Sequence, residues 1–303
     1  MGRFVLRRVM QMIPLVIGIT IITFGLANLV PGSPVSDLEL NPNIQPQDLE
    51  RIRHSLGLDQ PLYIRYFQWF SHIIRGDLGI SLVTYRPVSA LILQKLPNTL
   101  LLTGAALLLS LLFSIPVGVY AATRRNTIFD HVTTVGAVGG VAVPIFWLGL
   151  MMIILFSVKF RDWGLPALPS GGVHTLGKSG FLDLLEHLLM PAFVLAFVQT
   201  AAWTRYIRSQ MIEVMRQDYV RTAASKGLRD TAVVYGHALR NAILPLVTLL
   251  ALDIPTLFSG AVVTEQIFSW NGVGRLIYDS AIKRDYTVVM GTVLMISVLT
   301  VVA

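Results

Sequence analysis

The chain has 303 residues, of which 54% are hydrophobic and only 14% charged, and its mean hydropathy is +0.66. A globular protein carries about 25% charged residues, so a soluble fold, a disordered chain and a collagen-like or coiled-coil rod are excluded together. The absence of cysteine removes disulfide scaffolds, thiolate metal sites and cysteine nucleophiles, and the net charge of +7 has to be placed along the chain before it says anything about partners.

A helix needs about 20 mostly apolar residues to cross the hydrocarbon core. Five stretches reach that length, near 12–30, 99–121, 132–158, 188–204 with its flanks, and 242–263, and a sixth begins near Thr287 and runs to Ala303. The first starts with Arg3, Arg7 and Arg8, but its apolar run is longer than that of a signal peptide and no small-residue cleavage site follows. It reads as a signal anchor that stays in the mature protein. The expected fold is therefore all-α, a polytopic membrane helical bundle of about six transmembrane helices. Its parts are an N-terminal segment with the first helix (1–30), an extracytoplasmic subdomain (31–96), and a core of five further helices (97–303) that includes a polar loop at 205–241.

Residues 31–96 are too many for a mere connection. They predict a surface helix around Gln47 to Ser55 and carry Tyr63, Tyr66, Phe67, Trp69 and Phe70, aromatic rings suited to a membrane–water interface. A packed subdomain and a docking surface would both account for them. Assigning the segments between spans alternately to two sides separates the charge. One side, the N-terminus, the turn with Arg124, Arg125 and Asp130, and residues 205–240, holds 12 basic and 4 acidic residues, a net +8. The other side balances, with 12 of each, and Asp253 inside the fifth span supplies the last charge. By the positive-inside rule both termini are cytoplasmic, and the excess charge reports topology, not nucleic-acid binding.

Within the spans stand Pro14, Pro116, Pro144, Pro191, Pro245 and Pro255, and Gly136 and Gly140 form a small-xxx-small pair; such residues permit kinks and close helix packing. Asp253 is the more pointed feature. A carboxylate near a helix centre costs about 2.5 to 3.5 kcal/mol on insertion scales and normally faces the bundle interior or a wet cavity. It reads either as a buried acid satisfied by its neighbours or as part of a substrate path.

Gly172 to Ser179 spells G-x-x-x-x-G-K-[ST]. That motif cradles phosphate only between a strand and a helix of an α/β domain, and here it sits in the loop at 159–187 between two spans, on the side away from cytoplasmic ATP. The histidines, His54, His72, His131, His174, His187 and His237, form no i, i+4 pair, so no metal site is indicated. No catalytic constellation appears either. Residues 205–240 read as helical, with Gly227 placed to end a short amphipathic helix. A basic interfacial loop and a helix that plugs into a cytoplasmic partner both fit.

At Asp218 to Pro245, DYVRTAASKGLRDTAVVYGHALRNAILP, the sequence resembles the permease subunits of bacterial ABC importers, and among them the B-type permeases of dipeptide, oligopeptide and nickel systems. Arg221, Thr222 and Ala223 stand where the general importer pattern has Glu-Ala-Ala, and His237 and Arg240 also depart from that pattern, as the peptide subfamily does. Leu56 to Tyr63, Gly76 to Gly79 with Ser81, Arg86 to Val88, Glu265 to Leu276 and Arg284 to Tyr286 resemble further family motifs in the same order, with Asn271 where proline is usual. Relatives continue beyond this point to finish the sixth helix, so further residues are expected after Ala303.

The resemblance implies an inner-membrane subunit with no catalysis and no cofactor of its own. Its partners would be a second permease, two cytoplasmic ATPases carrying ATP and Mg²⁺, a substrate-binding protein, and membrane lipid. Arg221, Thr222, Ala223, Ala224, Ser225, Lys226, Gly227 and Leu228 would form the coupling helix docked to an ATPase, with Ala223, Ala224 and Leu228 as its apolar contacts. Peptide would be the cargo, with nickel, glutathione or another small solute as the alternative and a non-transport membrane scaffold as the remaining one.

Overall fold

The computed structural model describes residues 2–29, 45, 47, 50–51, 59–178, 180–259 and 261–302. The helix expected around Gln47 to Ser55 lies largely outside them. Among the described residues no strand forms, only one isolated antiparallel bridge between Ile80 and Pro87. The chain divides into two compact units, residues 1–96 with 276–303, and residues 97–275.

In the first unit α1 (Gly2–Leu29) packs along the C-terminal α12 (Tyr286–Val302) and against α2 (Leu62–Ile74). The α1–α2 contact uses part of the aromatic cluster. Phe24 meets Tyr66 and Trp69 with ring centroids 5.5 and 5.6 Å apart, and Tyr66 exchanges a hydrogen bond with Thr20 at 3.0 Å. Tyr63 and Phe67 stay exposed. After α2 the backbone turns through Gly76 and Gly79, both at positive φ, where glycine escapes the Cβ clash. The Asp77 carboxylate accepts the Gly79 N–H at 2.9 Å, and that bond with the neighbouring His72 holds its pKa below the usual range. Buried Asp285 ties down the next turn, accepting from Ser81 Oγ at 2.5 Å and Leu82 N at 3.1 Å.

The second unit is built on two long helices. Helix α3 (Val88–Thr123), which enters this unit at Pro97, has 36 residues, and α6 (Phe181–Val214) has 34. At 1.5 Å per residue each exceeds about 50 Å, so both extend well beyond a hydrocarbon core of about 30 Å. The single span expected at 132–158 is instead two helices, α4 (Ile128–Ala142) and α5 (Ile145–Asp162), bent by 97°. The cause is local: Pro144 has no N–H to continue the ladder, and it forces Val143 into extended backbone at ψ 122°. Helix α5 is π-helical over Ile153–Lys159. Gly140 packs on α6, where an added Cβ would stand 3.0 Å from Ala201, but its expected partner Gly136 lies on the open face, and Ala137 shares the buried stripe. The remainder comprises α7 (Asp218–Ser225), α8 (π-helical over Ala232–Ala238, then α-helical over Leu239–Ala242), α9 (Leu244–Ser259), α10 (Val262–Ile267) and α11 (Val273–Ile282, mostly in the first unit).

Four stretches among the described residues are long and apolar enough to cross a membrane alone, Met10–Leu29, Val88–Thr123, Phe181–Val214 and Ala232–Ala251. The bent α4–α5 pair makes a fifth if it counts as one span, and the apolar helix at Tyr286–Thr300 is shorter than the rest. The protein is thus an all-α polytopic membrane bundle, and its α6 continues ten residues past Thr204 as one unbroken helix, into the polar segment that the sequence reads as helical.

Candidate functional site

Helix α7 is short and sharply two-faced. Asp218 in its first turn lies at the positive end of the helix dipole and stands 4.0 Å from Arg221, both exposed. The helix stops where expected: Gly227 takes φ +76° and gives its N–H to the Ala224 carbonyl at 3.0 Å, the left-handed glycine stop. Three residues apart on one face, Val220 and Ala223 are buried against Val119 and Ala122 of α3, Ile207 and Met211 of α6, and Val233 and Ala238 of α8.

That seating corrects one expectation. Ala223, expected among the apolar contacts to a partner, points into the protein's own core at 6% exposure. The open face carries Tyr219, Arg221, Thr222, Ala224, Ser225 and Lys226, and Leu228 follows at 43% exposure. Arg216, Arg221, Lys226 and Arg229 are exposed there against Asp218 and Asp230. The site offers a small, basic, partly apolar knob on a buried foundation.

Asp253 on α9 is partly buried, and Gln199 Nε2 of α6 approaches its Oδ2 at 3.4 Å. The acid therefore has an amide partner from a facing helix rather than standing alone in lipid. In the Gly172–Lys178 stretch three amides, those of Gly172, Thr175 and Lys178, have partners within the protein. Gly172 donates to the Phe268 carbonyl at 2.8 Å, and Thr175 donates to Asp183, which also meets His174 Nδ1 at 2.9 Å. The Asp183 carboxylate thus takes the Thr175 N–H and lies beside His174, where a bound phosphate would meet its negative charge. Among the described residues no group of three or more His, Cys, Asp or Glu could hold a metal ion.

Two constellations escaped sequence reasoning. Glu265 in α10 is fully buried, accepting from Thr99 Oγ1 at 2.9 Å and from Arg275 N at 2.8 Å. Burial pushes its carboxyl up, opposed by these hydrogen bonds. A Cβ on Gly272 would collide with that carboxylate, and one on Gly274 would stand 3.1 Å from it. The signal was a buried-type acid followed by N-G-V-G, glycines spaced to let a backbone wrap a side chain. The second is Asp130 of α4 with Arg208 of α6, which the charge tally had counted as two independent charges; the Thr127-x-x-Asp130 spacing at a helix start was the available cue.

Residues 1–103 match the family described as "Binding-prot-dependent transport system membrane comp, N-term", and residues 114–303 the family described as "Binding-protein-dependent transport system inner membrane component". The chain is 42% identical to the oligopeptide transport system permease protein AppB of Bacillus subtilis, with 100% of this chain and 94% of that protein aligned. It is 40% identical to the di/tripeptide transport system permease protein DppB of Pseudomonas aeruginosa (98% and 93% covered) and 35% identical to the glutathione transport system permease protein GsiC of Salmonella choleraesuis (98% and 92%). The helical membrane bundle and these full-length relatives agree, and the chain belongs to the inner membrane components of binding-protein-dependent transport systems.

Proposed function

We propose that this chain is one of two permease subunits of an ATP-driven importer of di- and oligopeptides. A substrate-binding protein delivers the peptide on the outer side, and two cytoplasmic ATPases, which bind the ATP and Mg²⁺, drive the cycle. Arg221 to Leu228 is the coupling element. The observation that carries this reading is the construction of α7, with Val220 and Ala223 rooted in the core and Ala224, Lys226 and Leu228 presented outward. A cytoplasmic position for that knob is supported by the charge asymmetry of +8 against zero across the spans. A rooted helix moves with its foundation, so displacement by an ATPase is passed to α3, α6 and α8. Peptide as cargo is supported by the relatives named for oligopeptide and di/tripeptide transport, and Asp253 with Gln199 is the polar pair best placed in this unit's membrane helices to line the path.

Uptake of labelled dipeptides into vesicles holding this chain, its companion permease, the ATPases and the binding protein tests the assignment. Peptide uptake dependent on ATP is expected. Uptake of nickel or glutathione without competition by peptides would overturn the cargo, and no transport of any of them would overturn the function.

A further inference from the structure

Beyond the knob itself, an Arg–carboxylate clamp stands in the same unit. Arg208 meets Asp130 two-pronged, Nε to Oδ1 and Nη2 to Oδ2, the latter at 2.8 Å. Asp130 is 1% exposed and also accepts the N–H of Asn126 at 2.9 Å. Asn126 sits at φ +61° in the turn between α3 and α4, and Thr127 caps α4 through the Asp130 N–H. One carboxylate therefore binds the α3–α4 turn, the start of α4 and the side of α6.

The position of the clamp relative to α7 gives it meaning. Arg208 follows Ile207, which lies under α7 with Met211, Val119 and Ala122. At α3 and α6 the backbones are nearly in contact, since a Cβ on Gly118 would stand 2.9 Å from Ile207. The foundation of α7 is thus the end of α3 fused to α6, and α4 is joined to that foundation at its beginning by Asp130–Arg208. Farther along, α4 leans on α6 through Gly140 and then breaks by 97° into α5.

We infer that Asp130 and Arg208 are positioning residues of the coupling machinery, making α4 the arm that carries displacement of α7 to the bent α4–α5 pair; this rests on the coupling role proposed for α7. A two-pronged Arg–carboxylate pair, its carboxylate buried and its guanidinium partly exposed, suits that task because it fixes angle as well as distance. Losing Arg208 would leave the buried Asp130 carboxylate uncompensated, whereas losing Asp130 frees a guanidinium that water can reach.

The test uses the whole transporter in proteoliposomes, reading peptide uptake and ATP hydrolysis together. Asp130→Asn should lower peptide moved per ATP by about tenfold, within the 5- to 150-fold range usual for coupling between sites, while the ATPase subunits stay bound. Asp130→Glu, which keeps the charge, should recover most of the ratio. Where Asp130→Asn does not assemble, Arg208→Lys takes its place, because it keeps the charge and loses the two-pronged geometry. A wild-type ratio in the assembled variant, whatever its thermal stability, overturns the inference. Leu228→Arg is measured alongside. Loss of ATPase retention there with a wild-type ratio in Asp130→Asn defeats the clamp alone, whereas full retention and a wild-type ratio in Leu228→Arg defeats the coupling role of α7 and the inference with it.

Discussion

Thr99 uses one hydroxyl twice, donating to Glu265 Oε1 at 2.9 Å and accepting the Val273 N–H at 2.8 Å. The loop from α10 to α11 is thereby fastened to α3, and Trp270 and Asn98 add a second fastening, Nε1–H to the Asn98 carbonyl at 2.9 Å and Asn98 Nδ2 to the Asn271 carbonyl at 2.9 Å. All the donors and acceptors involved are satisfied only while this register holds.

Thr99→Val keeps the shape and removes both bonds, leaving a buried carboxylate oxygen and a buried amide short of a partner. A cost of about 2 to 6 kcal/mol follows from two unsatisfied buried groups at 1 to 3 kcal/mol each. Thr99→Ser should cost well under half of that. Thermal unfolding of the purified transporter, comparing the two, checks it.

Glu265 predicts the sign of a pH effect. Its folded pKa is raised by burial, so the folded state holds the proton more tightly than the unfolded one. Stability from this group is present in full below the ordinary glutamate pKa and falls as pH rises through the raised value. Wild type should therefore gain melting temperature as pH falls from 7 toward 5, and Glu265→Gln should lose that dependence. An unchanged slope in the variant contradicts the assignment.

The two faces of α7 should separate in their variants. Ala223→Leu overfills the core and should destabilise the protein by about 1 to 3 kcal/mol, with transport lost through unfolding of the seat. Ala224→Arg lies on the open face and should leave the stability within about 0.5 kcal/mol of wild type while weakening ATPase retention. Gly227→Val forces a β-branched residue to φ +76° and should behave like Ala223→Leu. Subunit retention and melting temperature, measured on the same preparations, distinguish the cases.

Asp253→Asn preserves shape and the contact with Gln199 but removes the charge. A changed preference among charged and neutral dipeptides, at normal assembly, is expected if the pair lines the path. Identical uptake of all of them would assign Asp253 to structure.

Much of this was legible from residues in order, because the signals were local. Apolar runs gave the bundle, Gly227 gave the end of α7, and the charge tally gave a sidedness. What the sequence hid was the third dimension. The 97° break needed Pro144 to act through Val143 at a helix end, and a run of apolar residues looks the same bent or straight. Ala223 and Ala224 differ only in which way a two-turn helix rolls onto its seat, and small apolar residues on both faces do not declare it. Asp130 and Arg208 are 78 positions apart, as Thr99 and Glu265 are 166, and no periodicity joins residues at such separations.

The central claim is that the exposed face of α7 docks an ATPase subunit. Because the chain contains no cysteine, Leu228→Cys introduces a unique thiol at the tip of that face, and Leu108→Cys on the apolar exposed side of α3 serves as control. Treated with a short thiol-directed photocrosslinker, the assembled transporter should yield an adduct to an ATPase subunit from Leu228→Cys and none from Leu108→Cys. Modification of the Leu228→Cys thiol without any ATPase adduct, in a transporter that still imports peptide, would contradict the account.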